Sequence, residues 1–164
     1  QPWRWLIVRS EEAKKKLQDC YDREWCTDSH IDTLARFCPN DTIAYIQCND
    51  PKDHHYKALK DMESQLQSFR TQDNRPFRLL PLPMADEIVF DNERLPATYA
   101  NFLIINGAVL YPTYNQPIND SRTAEILTTA FPERQIIGID CRALIKQHGS
   151  LHCVTMQYPK NVIK

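Results

Sequence analysis

"NFLIINGAVLYP", residues 101–112, sets the architecture of this chain. Asn106-Gly107 stands between two β-rich runs, and such a dipeptide between alternating apolar residues is the strongest short-range hairpin signal. Downstream, Asp120 can cap a helix that carries Ala124, Leu127 and Phe131 on one side and is stopped by Pro132. "RQIIGID", residues 134–140, then returns as a strand. The predicted order is strand–strand–helix–strand.

The same order is predicted upstream. "HIDTLARFC" (30–38) and "TIAYIQC" (42–48) flank the turn former Pro39-Asn40-Asp41. Asp50 followed by Pro51 marks a helix start, and Tyr56, Leu59, Met62, Leu66 and Phe69 give that helix one apolar face. "FRLLPL" (77–82) is the returning strand. Two such units, unrelated in sequence and joined without a low-complexity linker, predict a modular α/β chain. Ahead of them, "WRWLIV" (3–8) reads as a short strand. Ser10 caps a helix with Glu11 and Glu12 in its first turn and a stripe of Ala13, Leu17, Cys20 and Tyr21.

Bulk properties narrow the function. At 42% hydrophobic and 25% charged, the 164 residues are too apolar for disorder and suit one domain. A net charge of −1 leaves no basic footprint for nucleic acid. Lys14-Lys15-Lys16 is read as a solvated helix face. No apolar run approaches the ~20 residues that cross a bilayer, so no membrane partner is expected. "QPWRWLIVRS" is too short for a signal peptide and lacks a cleavage pattern. Six cysteines stand at 20, 26, 38, 48, 141 and 153, with no C-x-x-C among them. A zinc site therefore has little support, Cys26-x-x-x-His30 is only a weak metal signal, and free thiols in a reducing cytoplasm are expected.

"HGSLHCVTMQYP", residues 148–159, carries the candidate chemistry. If Leu151 to Gln157 is extended, Leu151, Cys153, Thr155 and Gln157 share one face and His152, Val154 and Met156 the other. His152 then points away from Cys153, and a base must come from elsewhere. "TDSHID" (27–32) offers His30 and Asp32, which share a face if that segment is a strand. A thiol with an ordinary pKa of about 8.5 needs an electropositive or hydrogen-bonding neighbour to act as a nucleophile. His30 can supply one, and Asp32 can hold a cationic substrate. His54, His55 and His148 are read as structural or solvated.

Four stretches, "TDSHIDTLARF", "YANFLIINGAVLYP", "AFPERQIIGID" and "HGSLHCVTMQYP", occur in the order and spacing of agmatine deiminases and the related bacterial peptidyl-arginine deiminases. The chain resembles that family from about Thr27 to Pro159. The resemblance implies an α/β propeller (pentein) of ββαβ modules, of which about two to three fall in this chain. Residues 1–26 match poorly, and 27–164 correspond to the C-terminal half of the family's propeller domain. It further implies Cys153 as nucleophile, His30 as general acid and base, and Asp32 as one carboxylate clamping the guanidinium. The implied reaction needs no metal or cofactor: agmatine and water give N-carbamoylputrescine and ammonia, a step toward putrescine. Peptidyl-arginine deimination is the second reading, and a non-catalytic module derived from a deiminase is the third.

The family's other guanidinium-binding acid lies in a W-x-R-D motif with no counterpart here. Asp28, Asp86 and Asp91 are the remaining candidates for that acid. The resemblance therefore also implies a partner, either the N-terminal half of the same enzyme or a second copy.

Overall fold

The computed structural model describes residues 30–156 and Tyr158. The strand and helix expected within residues 3–21 lie outside them. In the first unit, β1 (Ala35–Cys38) and β2 (Thr42–Gln47) form an antiparallel hairpin with Ala35 opposite Tyr45 and Cys38 opposite Thr42. Asn40 and Asp41 turn the chain at φ 59° and 52°, a left-handed conformation that these two residue types tolerate. The helix α1 (Tyr56–Ser68) buries Leu59, Met62 and Leu66 along one stripe. It delivers β3 (Arg78–Pro83) parallel to β2, with Thr42 opposite Arg78 and Gln47 opposite Pro83.

A short ribbon, β4 (Val89–Phe90) and β5 (Glu93–Arg94), leads to the second unit. There β6 (Leu103–Ile105) and β7 (Ala108–Thr113) are the hairpin, and α2 (Pro117–Ala130) crosses to β8 (Gln135–Asp140), parallel to β7. Gly107 takes φ +80° in the two-residue turn, which is why glycine stands there. The described residues thus contain both predicted ββαβ units, on separate three-stranded sheets.

Boundaries differ from expectation where side chains intercept the backbone. The first strand starts at Ala35 rather than His30, because Ile31–Thr33 closes one 3-10 turn. The Thr33 amide (3.1 Å) and hydroxyl (2.7 Å) both donate to the His30 carbonyl. The Asp50-Pro51 start is displaced to Tyr56: Asp50 accepts from the Lys52 amide at 2.9 Å and Asp53 from the His55 amide at 2.8 Å, making turns instead. In α2, Pro117 takes the first helical position. Asp120 reaches back from the first turn to the amides of Gln116 (3.0 Å) and Tyr114 (3.2 Å).

One apolar cluster runs through both units. It includes Leu82 of β3, Val109 of β7, Leu127 of α2, and Tyr99, Phe102 and Ile145 from the connections, all fully buried. α2 packs on β3 as well as on its own sheet, which seats the units side by side. Burial of apolar area at about 25 cal/mol per Å² is what holds that seam.

Candidate active site

The segment between β5 and β6 is stitched to the first unit. Thr98 Oγ1 donates to the Thr33 carbonyl at 2.5 Å. The Tyr114 hydroxyl accepts from the Thr98 amide at 3.0 Å, donates to the Thr98 carbonyl at 3.0 Å and meets Ser150 Oγ at 2.9 Å. Arg36 of β1 donates to the Phe102 carbonyl at 2.7 Å and lays its guanidinium 5.0 Å from the Phe102 ring centroid. These contacts bring Asn101 between the Ile31–Thr33 turn and the chain around Cys153.

Asn101 is 0% exposed, and a buried amide must satisfy its polar atoms within the protein. Its Nδ2 donates to Asp32 Oδ2 at 2.9 Å and, more distantly, to the Asp32 carbonyl at 3.4 Å. Its Oδ1 accepts from the amides of His152 (2.8 Å) and Cys153 (3.3 Å), and the Cys153 thiol lies 3.5 Å from the same oxygen.

That grip corrects the extended reading of residues 151–157. His152–Val154 forms a 3-10 turn, sealed by the Thr155 amide (3.0 Å) and hydroxyl (2.8 Å) on the His152 carbonyl. Period-two alternation no longer applies. The exposed Cys153 faces a cleft, while His152 turns to Asp32, its Nδ1 2.6 Å from Oδ2.

The cleft holds about 270 Å³ and is lined by His30, Gln147, His148, Gly149, Cys153 and Val154. The structure therefore brings His30 and Cys153 to one opening. Asp32 is not among the lining residues. The expectation that it shares a strand face with His30 fails, because Asp32 sits inside the 3-10 turn for which His30 is the extended N-terminal flank. Asp32 reaches the Cys153 turn through Asn101 and His152 instead. His148, read as a loop residue, lines the cleft at φ 62° and lies 3.9 Å from Glu93.

Electrostatics follow from these contacts. The His152 hydrogen bond holds the Asp32 carboxyl below the usual range; burial opposes this, and the charges of His152 and Arg36 reinforce it. Burial pushes the Arg36 guanidinium down from its ordinary value, offset by Asp32, Cys38 and Cys153. Arg36 thus contributes a nearby positive charge. Burial raises the thiols of Cys38 and Cys141 to about 11 and lifts Cys48 as well.

Asp86 is tied to Gln116 and Asn119, and Asp91 forms the ribbon turn at φ 52°; neither lines the cleft. Asp28 and Cys26 lie outside the described residues. Among the described residues, no group of three His, Cys, Asp or Glu is placed to hold a metal ion.

Sequence reasoning gave no role to Asn101, His152 or Arg36. The available signal was Asn101 itself, a polar residue immediately before the apolar run "FLII".

A family model described as Porphyromonas-type peptidyl-arginine deiminase matches residues 16–159. The crystal structure of the "Putative Arginine Deiminase from Porphyromonas gingivalis" is 57% identical, with a TM-score of 0.79 over 82% of this chain and 39% of that one. An agmatine deiminase of C. jejuni, solved with substrate bound, is 42% identical, with a TM-score of 0.70 over 77% of this chain and 37% of that one. A "Putative agmatine deiminase" of Vibrio parahaemolyticus is 31% identical over 150 residues, 81% of this chain and 41% of the relative. The chain spans about two-fifths of the length of the curated relatives it matches. With the match extending across both ββαβ units and the Cys153 turn, the chain belongs to the Porphyromonas-type peptidyl-arginine deiminase family, which it shares with agmatine deiminases.

Proposed function

We propose that this chain carries the nucleophile and the acid–base group of a cysteine-dependent hydrolase that converts agmatine and water to N-carbamoylputrescine and ammonia. The observation that carries the reading is the opening of His30 and Cys153 onto one cleft, with Asp32 bound to the turn that bears Cys153.

Asp32, bound to the Cys153 turn through His152 though not among the residues that line the cleft, is the acid we assign to an N–H of the guanidinium, whose planar donors suit a carboxylate. The Cys153 thiolate attacks the guanidinium carbon, and the C–N bond breaks as His30 gives its proton to departing ammonia. A thiouronium ester on Cys153 remains. His30 then takes a proton from water, the hydroxide adds to the same carbon, and the C–S bond breaks to release the ureido product and the thiolate. Every proton is returned, so neither metal nor redox partner is consumed.

In this reading the two ββαβ units are neighbouring blades of an α/β propeller. Free thiols at Cys38, Cys48, Cys141 and Cys153 suit a reducing compartment, and we assign the protein to the cytoplasm. Among the described residues no carboxylate lines the cleft, and we assign the acid for the far edge of the guanidinium to Asp28, to an N-terminal half or to a second copy.

The family description favours a second reading, the same chemistry on peptidyl-arginine. Ammonia and ureido product measured from agmatine and from an arginyl peptide, with and without the N-terminal half of a relative, separate the two. Turnover of agmatine that needs the added half and disappears in Cys153→Ser is expected. Turnover of the peptide alone would transfer the assignment to peptidyl-arginine. No turnover of either would leave a non-catalytic module.

A further inference from the structure

We infer that Tyr114 is a positioning residue for the proposed hydrolase: its buried hydroxyl ties the wall of the cleft that carries His30 to the wall that carries Cys153. The inference rests on that reading of the site and names what keeps the two proposed reacting groups in register. Tyr114 follows β7 and is 2% exposed. Its amide donates to Asp120 Oδ1 of α2 at 3.2 Å, and its ring meets Tyr99 edge-on with centroids 5.3 Å apart. The phenol therefore stands on a fixed stem.

A phenol carries one hydrogen and accepts through its oxygen. Here the hydrogen goes to the Thr98 carbonyl at 3.0 Å, and the Thr98 amide donates to the oxygen at 3.0 Å. One hydroxyl satisfies both backbone groups of Thr98, as a neighbouring strand would. With its hydrogen committed there, Tyr114 is the acceptor in its 2.9 Å contact with the Ser150 hydroxyl. Burial holds the phenol above its ordinary value, so it stays protonated and keeps both roles.

The two partners lead to opposite sides of the cleft. Thr98 Oγ1 donates to the Thr33 carbonyl at 2.5 Å, and the Thr33 amide and hydroxyl both donate to the His30 carbonyl. Ser150 is 1% exposed and directly follows Gly149, which lines the cleft against Cys153. Loss of the shared oxygen lets two buried segments shift against each other, and a misplacement of about 1 Å between reacting groups can cost 10²-fold. Tyr114 is not among the residues that line the cleft, so its loss acts on turnover rather than on substrate affinity.

The test compares Tyr114→Phe with Tyr45→Phe in the full chain, complemented by the N-terminal half of a relative. Tyr45 is a phenol of similar burial, 3% exposed, whose hydroxyl bonds to Glu63 at 2.5 Å within the first unit. Both substitutions keep the ring, and both are expected to lower the melting temperature. Tyr114→Phe is expected to reduce kcat for agmatine about 10-fold while KM stays within about 3-fold. It should also slow alkylation of Cys153 by a haloacetamidine about 10-fold. Tyr45→Phe is expected to leave both rates within about 2-fold, because its hydroxyl bonds serve α1 and β2. Ser150→Ala removes the same link from the other side and should match Tyr114→Phe, with the double variant no slower than either. Should Tyr114→Phe not fold, Ser150→Ala carries the comparison with Tyr45→Phe. Unchanged rates in Tyr114→Phe and Ser150→Ala overturn the inference, as does a double variant whose losses add. Equal losses in Tyr45→Phe would mark general destabilisation, and that also overturns it. Absence of turnover in the parent counts against the hydrolase reading, whereas the Cys153 alkylation rate is defined without turnover and still judges Tyr114.

Discussion

Asn101 and Cys153 meet across 52 residues of sequence: the amide oxygen of one accepts the backbone N–H of the other at 3.3 Å and faces its thiol at 3.5 Å. Truncating a fully buried amide leaves several groups unpaired. Asn101→Ala is expected to cost about 1–3 kcal/mol of stability in urea unfolding. Misplacing Cys153, the proposed nucleophile, is expected to lower the proposed turnover about 10²-fold. Asn101→Asp should lose comparable turnover and, by setting a second carboxylate against Asp32, raise the Asp32 titration. An Asn101→Ala protein with native turnover contradicts this account.

Cysteine reactivity should follow exposure and ionisation together. Cys38, Cys48 and Cys141 are at least partly buried, with thiols raised by burial, whereas Cys153 is exposed at the cleft. Brief treatment with a haloacetamidine, mapped by mass spectrometry, should label Cys153 before those three. Faster labelling of Cys141 or Cys38 would remove the basis for Cys153 as nucleophile.

The tandem ββαβ order was legible because its signals are local. Asn106-Gly107 marks one hairpin, Pro39-Asn40-Asp41 the other, and Leu59, Met62 and Leu66 carry helical spacing. The two turns that orient the site were not legible, for a physical reason. Residues 31–33 and 152–154 leave the extended state through local Thr33 and Thr155 hydroxyl bonds and through Asn101, which is distant in sequence from both. Alternation, applied to a segment already shaped by tertiary contacts, set His152 aside. Cys153 and His30 were picked out as candidates from motif order; their opening onto one cleft required the fold.

Asp32 gives the stability a defined acid dependence. Its folded value lies below the ordinary aspartate value of about 3.9, so the folded state favours the ionised form. That contribution is complete above about pH 4 and is lost as pH falls through the folded value. Urea midpoints between pH 2 and 6 should therefore fall more steeply for the native chain than for Asp32→Asn. Parallel slopes would show that the carboxylate is not stabilised by its partners.

Two glycines separate damage to the site from damage to the fold. A Cβ at Gly149 would stand 3.2 Å from Cys153 Cβ and 3.9 Å from its sulfur. Gly149→Ala should lower kcat about 10-fold or more with little change in melting temperature. A Cβ at Gly138 would meet Thr113 Cγ2 at 2.8 Å and the Tyr111 ring at 3.2 Å, away from the cleft. Gly138→Ala should cost about 1–3 kcal/mol by overpacking. Kinetics and thermal melts on the two proteins check both expectations.

Each ββαβ unit completes its own strand pairing, while the bonds from Thr98 to Thr33, from Asn101 to Asp32 and from His152 to Asp32 all cross between units. The site therefore belongs to neither unit and exists only while the two are docked. A partial opening that parts the units, without melting either sheet, would dissolve the arrangement around Cys153. The Asn101–Asp32 and His152–Asp32 bonds then break on the clock of that parting, while the amide hydrogens inside β2 and β7 wait for the sheets themselves to unfold.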